Sequence, residues 1–457
     1  MSRRERVAFV NQRSLQAAKT KNWSPPMPRC HYACNTADHS VSRRAFLGTA
    51  AIGATAALGS AGFASGMANA ELAKAQKRVL VIFLSGGVSQ LETWDPKPNT
   101  DTGGPFKAIP TSVPGIHISE LLPHTAKLAH RLAIVRSLNS VSDDHGIGAK
   151  IMLTGRKPEA GIEYPHIGAV SAKLLGNASA AALPGHIQIL PKGGGGFGGA
   201  DATFLGPKFA SVTLGDGKPP ADLLRPKDIS ADADAAREEF RRKLNDRFAK
   251  SRKSAATDAY AESFEQAERV VKKGDVFDIE KEDPKVADRY GRHDLGRHFL
   301  LARRLLEAGV TYVKVTHSNY DTHHENFDFH IEQLGEFDRP FTALLNDLSD
   351  RGMLDSTLVV VMSEMGRTPR INDRYGRDHW SKAWSVVLAG AGIKGGAVVG
   401  KTNANGTAVV DREVYSGHLF HTYLRAVGID STKNFYPNDR PVPYADPKTA
   451  AIDEILA

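Results

Sequence analysis

Arg78-Val79-Leu80-Val81-Ile82-Phe83-Leu84 runs directly into Ser85-Gly86-Gly87. A strand covered on one side alternates apolar and polar residues. An unbroken apolar run of strand length belongs to a strand buried on both faces, as in the middle of a parallel sheet. The stretch therefore predicts a central strand that ends in a tight turn.

Similar signals recur downstream. Leu132–Val135, Val310–Val315, Thr357–Met362 and Ser385–Ala389 read as strands. Helical spacing is expected over Ile118–Ala129, Ala149–Leu153, the charged stretch from Asp232 to about Lys273, and Asp288–Ala308 with Gly309 as its cap. Asp328–Leu348 carries Ile331, Leu334, Phe337, Phe341, Leu344, Leu345 and Leu348 on one face. Residues 192–220, rich in Gly, Pro and Lys, read as an extended loop. Strands alternating with long helices predict an α/β fold, with a mainly parallel central sheet and helices on both faces. Such sheets carry their chemistry just beyond the C-terminal strand ends.

The formal charge of +8 points to nucleic acid only until position is considered. Of the chain's 59 basic and 51 acidic residues, nine and two fall within residues 1–70, leaving 50 against 49 in the body. A body so balanced lacks the footprint of a nucleic-acid-binding surface. Cys30 and Cys34 also lie in the first segment, so the body has no thiolate for a metal or a nucleophile. Ser42-Arg43-Arg44-Ala45-Phe46-Leu47, a weakly apolar run to Ser65 and Ala68-Asn69-Ala70 have the layout of a secretory signal. The arginine pair points to the twin-arginine route and a periplasmic or secreted product. The expected organisation is a disordered extension or misassigned start over 1–41, a signal peptide over 42–70 and one domain over 71–457. No transmembrane span is expected in the mature chain.

Four polar clusters follow strands or open helices: Ser85–Asp95, Ser142–Gly146, Tyr320–Glu325, and Ser363–Thr368 continuing to Arg377-Asp378-His379-Trp380. Without thiolates, carboxylates and imidazoles are what a divalent metal site would use. Asp321 with His323 and His324 is the sharpest group, and Glu364, His379 and His145 are further candidates. Arg156 and Arg367 are candidates for holding an oxyanion, because guanidinium matches phosphate or sulfate in a two-pronged way. Each also has an ordinary reading: exposed loop histidines, an ion-paired or capping carboxylate, a histidine packed on Trp380, a structural arginine. The run Gly193–Gly196 lacks the ending of a phosphate-binding loop.

Taken together, R-R-x-F-L, S-G-G-x-S-Q-L-E-T-W-D-P-K-P, D-D-H-G…M-L-T-G-R, R-Y-G-R-H, D-T-H, S-E-M-G-R-T-P and G-R-D-H-W resemble the domain of unknown function 1501 family over nearly all of residues 42–457. That family is similar in fold to alkaline phosphatases and sulfatases. The resemblance implies a metal site built from Asp321, His323 or His324, and His379. It also places His145 where the superfamily has a nucleophile, Ser85-Gly86 where it has a metal-binding Asp, and Glu364-Met365 where it has an Asp-His pair. Gln90 and Glu92 stand where the family usually has His and Asp.

The expectation is an exported hydrolase of sulfate or phosphate esters that uses a divalent metal (Zn, Ca or Mn) and acts on a small-molecule or glycan ester. His145 would be its base or a further ligand. The alternative is a non-catalytic binding or scaffold protein outside the cytoplasm. Changing Arg43 and Arg44 together to Lys is expected to retain the chain in the cytoplasm; cell fractionation in a twin-arginine-competent host reads the outcome.

Overall fold

The computed structural model describes residues 76–176, 183–191, 201–218, 228–251 and 255–457. The expected leader, both cysteines and Gly193–Gly196 lie outside the described residues.

Within them, nine strands form one sheet: β1 (Arg78–Leu84), β2 (Leu132–Asn139), β3 (His186–Leu190), β4 (Val212–Gly215), β5 (Tyr312–His317), β6 (Thr357–Met362), β7 (Trp384–Ala389), β8 (Ala397–Val399) and β9 (Val414–Tyr415). Their order is β8-β2-β7-β6-β1-β5-β3-β4, and β9 also pairs with β2. β1 lies at the centre, parallel to β5 and β6. Only β7 runs against its neighbours.

The seven residues of β1 are all buried, as expected of a strand enclosed on both faces. The pleat then sorts them by alternation. Leu80, Ile82 and Leu84 join one apolar core, and Val79, Val81 and Phe83 join the other. The first core is covered by α5 (Asp294–Glu307) and α6 (Asn326–Asp350). The second is covered by α1 (His145–Thr154), α2 (Ile167–Leu175) and α7 (Ser416–Ala426). α3 (Ala231–Ser251) and α4 (Ala255–Lys272) make up the charged stretch. No described helix is long and apolar enough to cross a membrane.

Strand direction positions the chemistry. β1, β2, β5 and β6 are mutually parallel, directly or through β7, so their C-terminal ends share one edge. Because β7 is reversed, its N-terminal start lies at that same edge. The loops carrying His145, Asp321, Glu364 and His379 therefore leave or enter the sheet on one side.

Several local expectations are corrected. The stretch from Ile118 to Ala129 is a short strand, His117–Ser119, followed by a helix of five residues, Pro123–Lys127, rather than one helix. The helix expected over 288–308 is broken at Gly291, whose φ of 81° is left-handed, into Pro284–Tyr290 and α5. Part of the expected loop over 192–220 is β4, paired with β3. Ile331 is 51% exposed, because the buried stripe of α6 passes through His330 instead.

Ile82 has no exposed surface. Ile82→Ala is expected to cost about 2–5 kcal/mol of stability, read as a lower urea midpoint at unchanged slope.

Candidate metal centre

Asp144 caps α1, its side chain accepting from the Ile147 amide at 2.8 Å. The cap sets His145 in the first turn, facing the end of β6. α1 approaches closely because Gly148 has no side chain: a Cβ there would lie 2.9 Å from the Glu364 carbonyl oxygen. Glu364 is fully buried. Its Oε1 accepts from His145 Nδ1 at 2.7 Å and from the Gly86 amide at 2.8 Å. Its Oε2 accepts from Ser363 Oγ at 2.9 Å. The turn after β1 thus contributes backbone rather than a ligand. Gly86 has a φ of 116°, and a Cβ on it would meet the Asp321 amide nitrogen at 2.4 Å.

Asp321 follows β5. His323 Nε2 and His379 Nε2 each lie 3.2 Å from its Oδ1, and His145 Nε2 lies 3.4 Å from its Oδ2. The His323 and His379 Nε2 atoms are 3.0 Å apart. One ligand atom each from His145, Asp321 and His379 falls within 4.8 Å of the others. Asp321 and His379 are thus shared by two triads, one completed by His145 and one by His323.

The other nitrogen of each ring is held by an oxygen. His145 Nδ1 faces Glu364, His323 Nδ1 faces the Asp378 carboxylate at 2.8 Å, and His379 Nδ1 faces the Asp143 carbonyl at 2.6 Å. Those acceptors assign the ring proton to Nδ1 in all three rings, leaving the Nε2 lone pairs turned toward Asp321. Lone pairs 3.0 Å apart beside a carboxylate repel unless a cation or added protons lie between them. A tetrahedral site with bonds of about 2.0–2.1 Å has edges of about 3.3 Å, close to the separations observed. His145 Nε2 is buried without a hydrogen-bond partner among the described residues. Donor type, ring orientation and this orphaned atom all fit a divalent metal.

The electrostatics keep the carboxylate ionised. Burial pushes Asp321 up, but the Arg367 bond and charge, with His145 and His379, bring it down to about 2. The bond to Glu364 raises His145, against the opposing effect of burial. The donors stay accessible, with side-chain exposures of 22% for His379, 31% for His145, 35% for His323 and 49% for Asp321.

Four expected site residues lie elsewhere or act otherwise. Glu364, expected as a metal ligand, is instead fully buried behind His145 and holds its ring. Arg156, beyond the far end of α1, donates to the Pro443 carbonyl at 2.6 Å and stacks over Tyr164. His324 is turned out beside Glu325, with its ring against Phe329. Arg367 is fully buried. It donates to the Gly86, Gly87 and Arg377 carbonyls and to Asp321, so it anchors Asp321 instead of meeting a substrate anion. The sequence reading missed the orienting roles of Asp378 and Asp143. Asp378 precedes His379 directly, which was the available signal. Also missed was the fully buried pair of Glu92 and Arg377, bonded at 2.8 and 3.0 Å. Arg377 also donates to the Thr368, Pro369 and Thr102 carbonyls, securing the loop between Arg367 and His379.

These features define an α/β protein with an accessible histidine–aspartate centre at the edge of its sheet. The chain belongs to the family described as protein of unknown function (DUF1501), whose model matches residues 76–456. No curated protein matches the sequence. Among solved structures it is similar to the lipoteichoic acid synthase LtaP of Listeria monocytogenes, at 9% identity and TM-score 0.38, over 78% of this chain and 73% of that one. It is also similar to the PsFucS1 sulfatase of Pseudoalteromonas sp., at 12% identity and TM-score 0.39, over 80% and 72%. A third is the alkaline phosphatase of the Antarctic bacterium TAB5, at 13% identity and TM-score 0.33, over 77% and 98%. Likeness this distant carries no information about activity.

Removing Arg377 would leave Glu92 buried and unpaired. Arg377→Ala is expected to cost about 3–5 kcal/mol, measured by chemical denaturation. In the wild type, burial pushes Glu92 up, but Arg377 outweighs it and its pKa is lowered. Its contribution is therefore present above the usual glutamate range and lost as pH falls through the lower folded value.

Proposed function

We propose that the chain is an exported, metal-dependent hydrolase of sulfate or phosphate esters. The observation that carries this reading is the convergence of three Nε2 atoms on Asp321, each ring oriented by an oxygen behind it. His379 and Asp321, with His145 or His323, would hold the ion. A metal bound there supplies a Lewis acid and lowers the pKa of water toward neutrality. Glu364 and Asp378 fix the tautomers of His145 and His323. The imidazole of the two, His145 or His323, that did not hold the ion would be free to act as a base. The exposure of the donors admits a substrate from solvent.

A second reading rests on a specific observation. Neither Arg156 nor Arg367 is free to hold an oxyanion. That favours a non-catalytic protein outside the cytoplasm that retains the centre for binding.

The two readings separate on one set of measurements. The hydrolase is expected to purify with about one transition ion per chain. It should cleave an aryl sulfate, a phosphomonoester or a phosphodiester, and lose both ion and turnover in Asp321→Ala and His379→Ala. A metal-free or inactive wild type, unchanged by these substitutions, would rule the hydrolase out.

A further inference from the structure

Below the metal centre, on the face of β5 covered by α2, the sheet buries a lysine. Lys314 is 3% exposed and pairs in register with Val81 of β1 and Gln188 of β3. An ammonium carries three donors, yet among the described residues its Nζ has no hydrogen bond and no ion pair. Its Nζ lies over the Phe83 ring, 5.4 Å from the centroid, and its charge is felt by the His166 and His186 rings. A cation–π contact at that distance offsets only part of the cost of burying a charge.

The neighbouring carboxylates are already engaged. Asp201 accepts from Gln188 Nε2 at 3.1 Å and from the Ser211 amide at 3.2 Å. Glu364 is held by His145, Gly86 and Ser363. Burial lowers the Lys314 amine to about 8, with Asp201 and Glu364 opposing, so it is mainly charged at neutral pH. Two residues along the strand, and therefore on the same face, Thr316 Oγ1 is also buried without a partner among the described residues.

We propose that Lys314 and Thr316 form a binding subsite for a singly charged oxyanion group, a carboxylate or a sulfate ester. Such a group supplies several acceptor oxygens to donors that otherwise have none. Asp201 and Glu364 already act electrostatically on the Lys314 amine, which disfavours adding a dianion such as a phosphomonoester beside it. The subsite does not depend on the metal reading, because none of its donors belongs to the histidine–aspartate cluster.

The test removes the metal centre first. Full-length mature protein carrying Asp321→Asn is titrated calorimetrically at pH 7 with acetate, methyl sulfate and phenyl phosphate. Lys314→Met and Thr316→Val are then added to it separately. At least one monoanion is expected to bind, more tightly than the dianion, and its identity distinguishes a carboxylate from a sulfate ester. Lys314→Met should weaken that binding by about tenfold or more, with a smaller loss for Thr316→Val. The thermal midpoint of Lys314→Met should stay level or rise, since an unpaired buried charge has been replaced by an apolar side chain of similar length. Absence of monoanion binding, unchanged affinity in Lys314→Met, or a lowered midpoint marking a structural lysine would each overturn the proposal. The same binding in an otherwise wild-type chain that turns over none of the esters would instead count against the hydrolase reading alone.

Discussion

A carboxylate with no exposed surface must have each of its oxygens met, and Glu364 meets that requirement by drawing together three parts of the chain. It is anchored just past β6, accepts the amide of the turn after β1, and accepts the ring nitrogen of the first residue of α1. The residues it joins are 278 and 219 positions away in sequence. Without it, the turn after β1 would lose its acceptor and His145 would lose the partner that sets its tautomer. The centre thus depends on a side chain that never touches solvent.

Around this pivot the same logic repeats. Arg367, fully buried, spends its donors on backbone carbonyls of the Gly86-Gly87 turn and on Asp321. Arg377, equally buried, pairs with Glu92 and secures the loop that delivers His379. Asp378 and the Asp143 carbonyl fix the remaining two rings. The accessible donors are therefore held by groups that are mostly inaccessible. That division suits a site whose ligands must stay oriented while facing water.

The main strands were legible because burial on both faces leaves an unbroken apolar run, as in Arg78–Leu84 and Thr357–Met362. Asp321, His323 and His379 were legible because each sits in a polar cluster beside a strand. The choice between His323 and His324 was not legible. Adjacent residues in an irregular turn have no periodicity to assign their direction, and the structure turns one ring inward and the other out. Arg367 was misread for a different reason. Most of its acceptors are backbone carbonyls, which leave no trace in sequence, so a buried brace looks like a free guanidinium. The strand β3 also escaped notice, being short and set by neighbours distant in sequence, as did the left-handed break at Gly291.

The account stands on one ion lying among His145, His323, His379 and Asp321. Anomalous diffraction from crystals of protein grown in metal-replete medium, collected on both sides of the zinc, manganese and iron absorption edges, tests it most directly. The account predicts one anomalous peak at about 2.0–2.2 Å from Asp321 and the facing Nε2 atoms. A cluster with no anomalous scatterer and its rings doubly protonated around the carboxylate would contradict it.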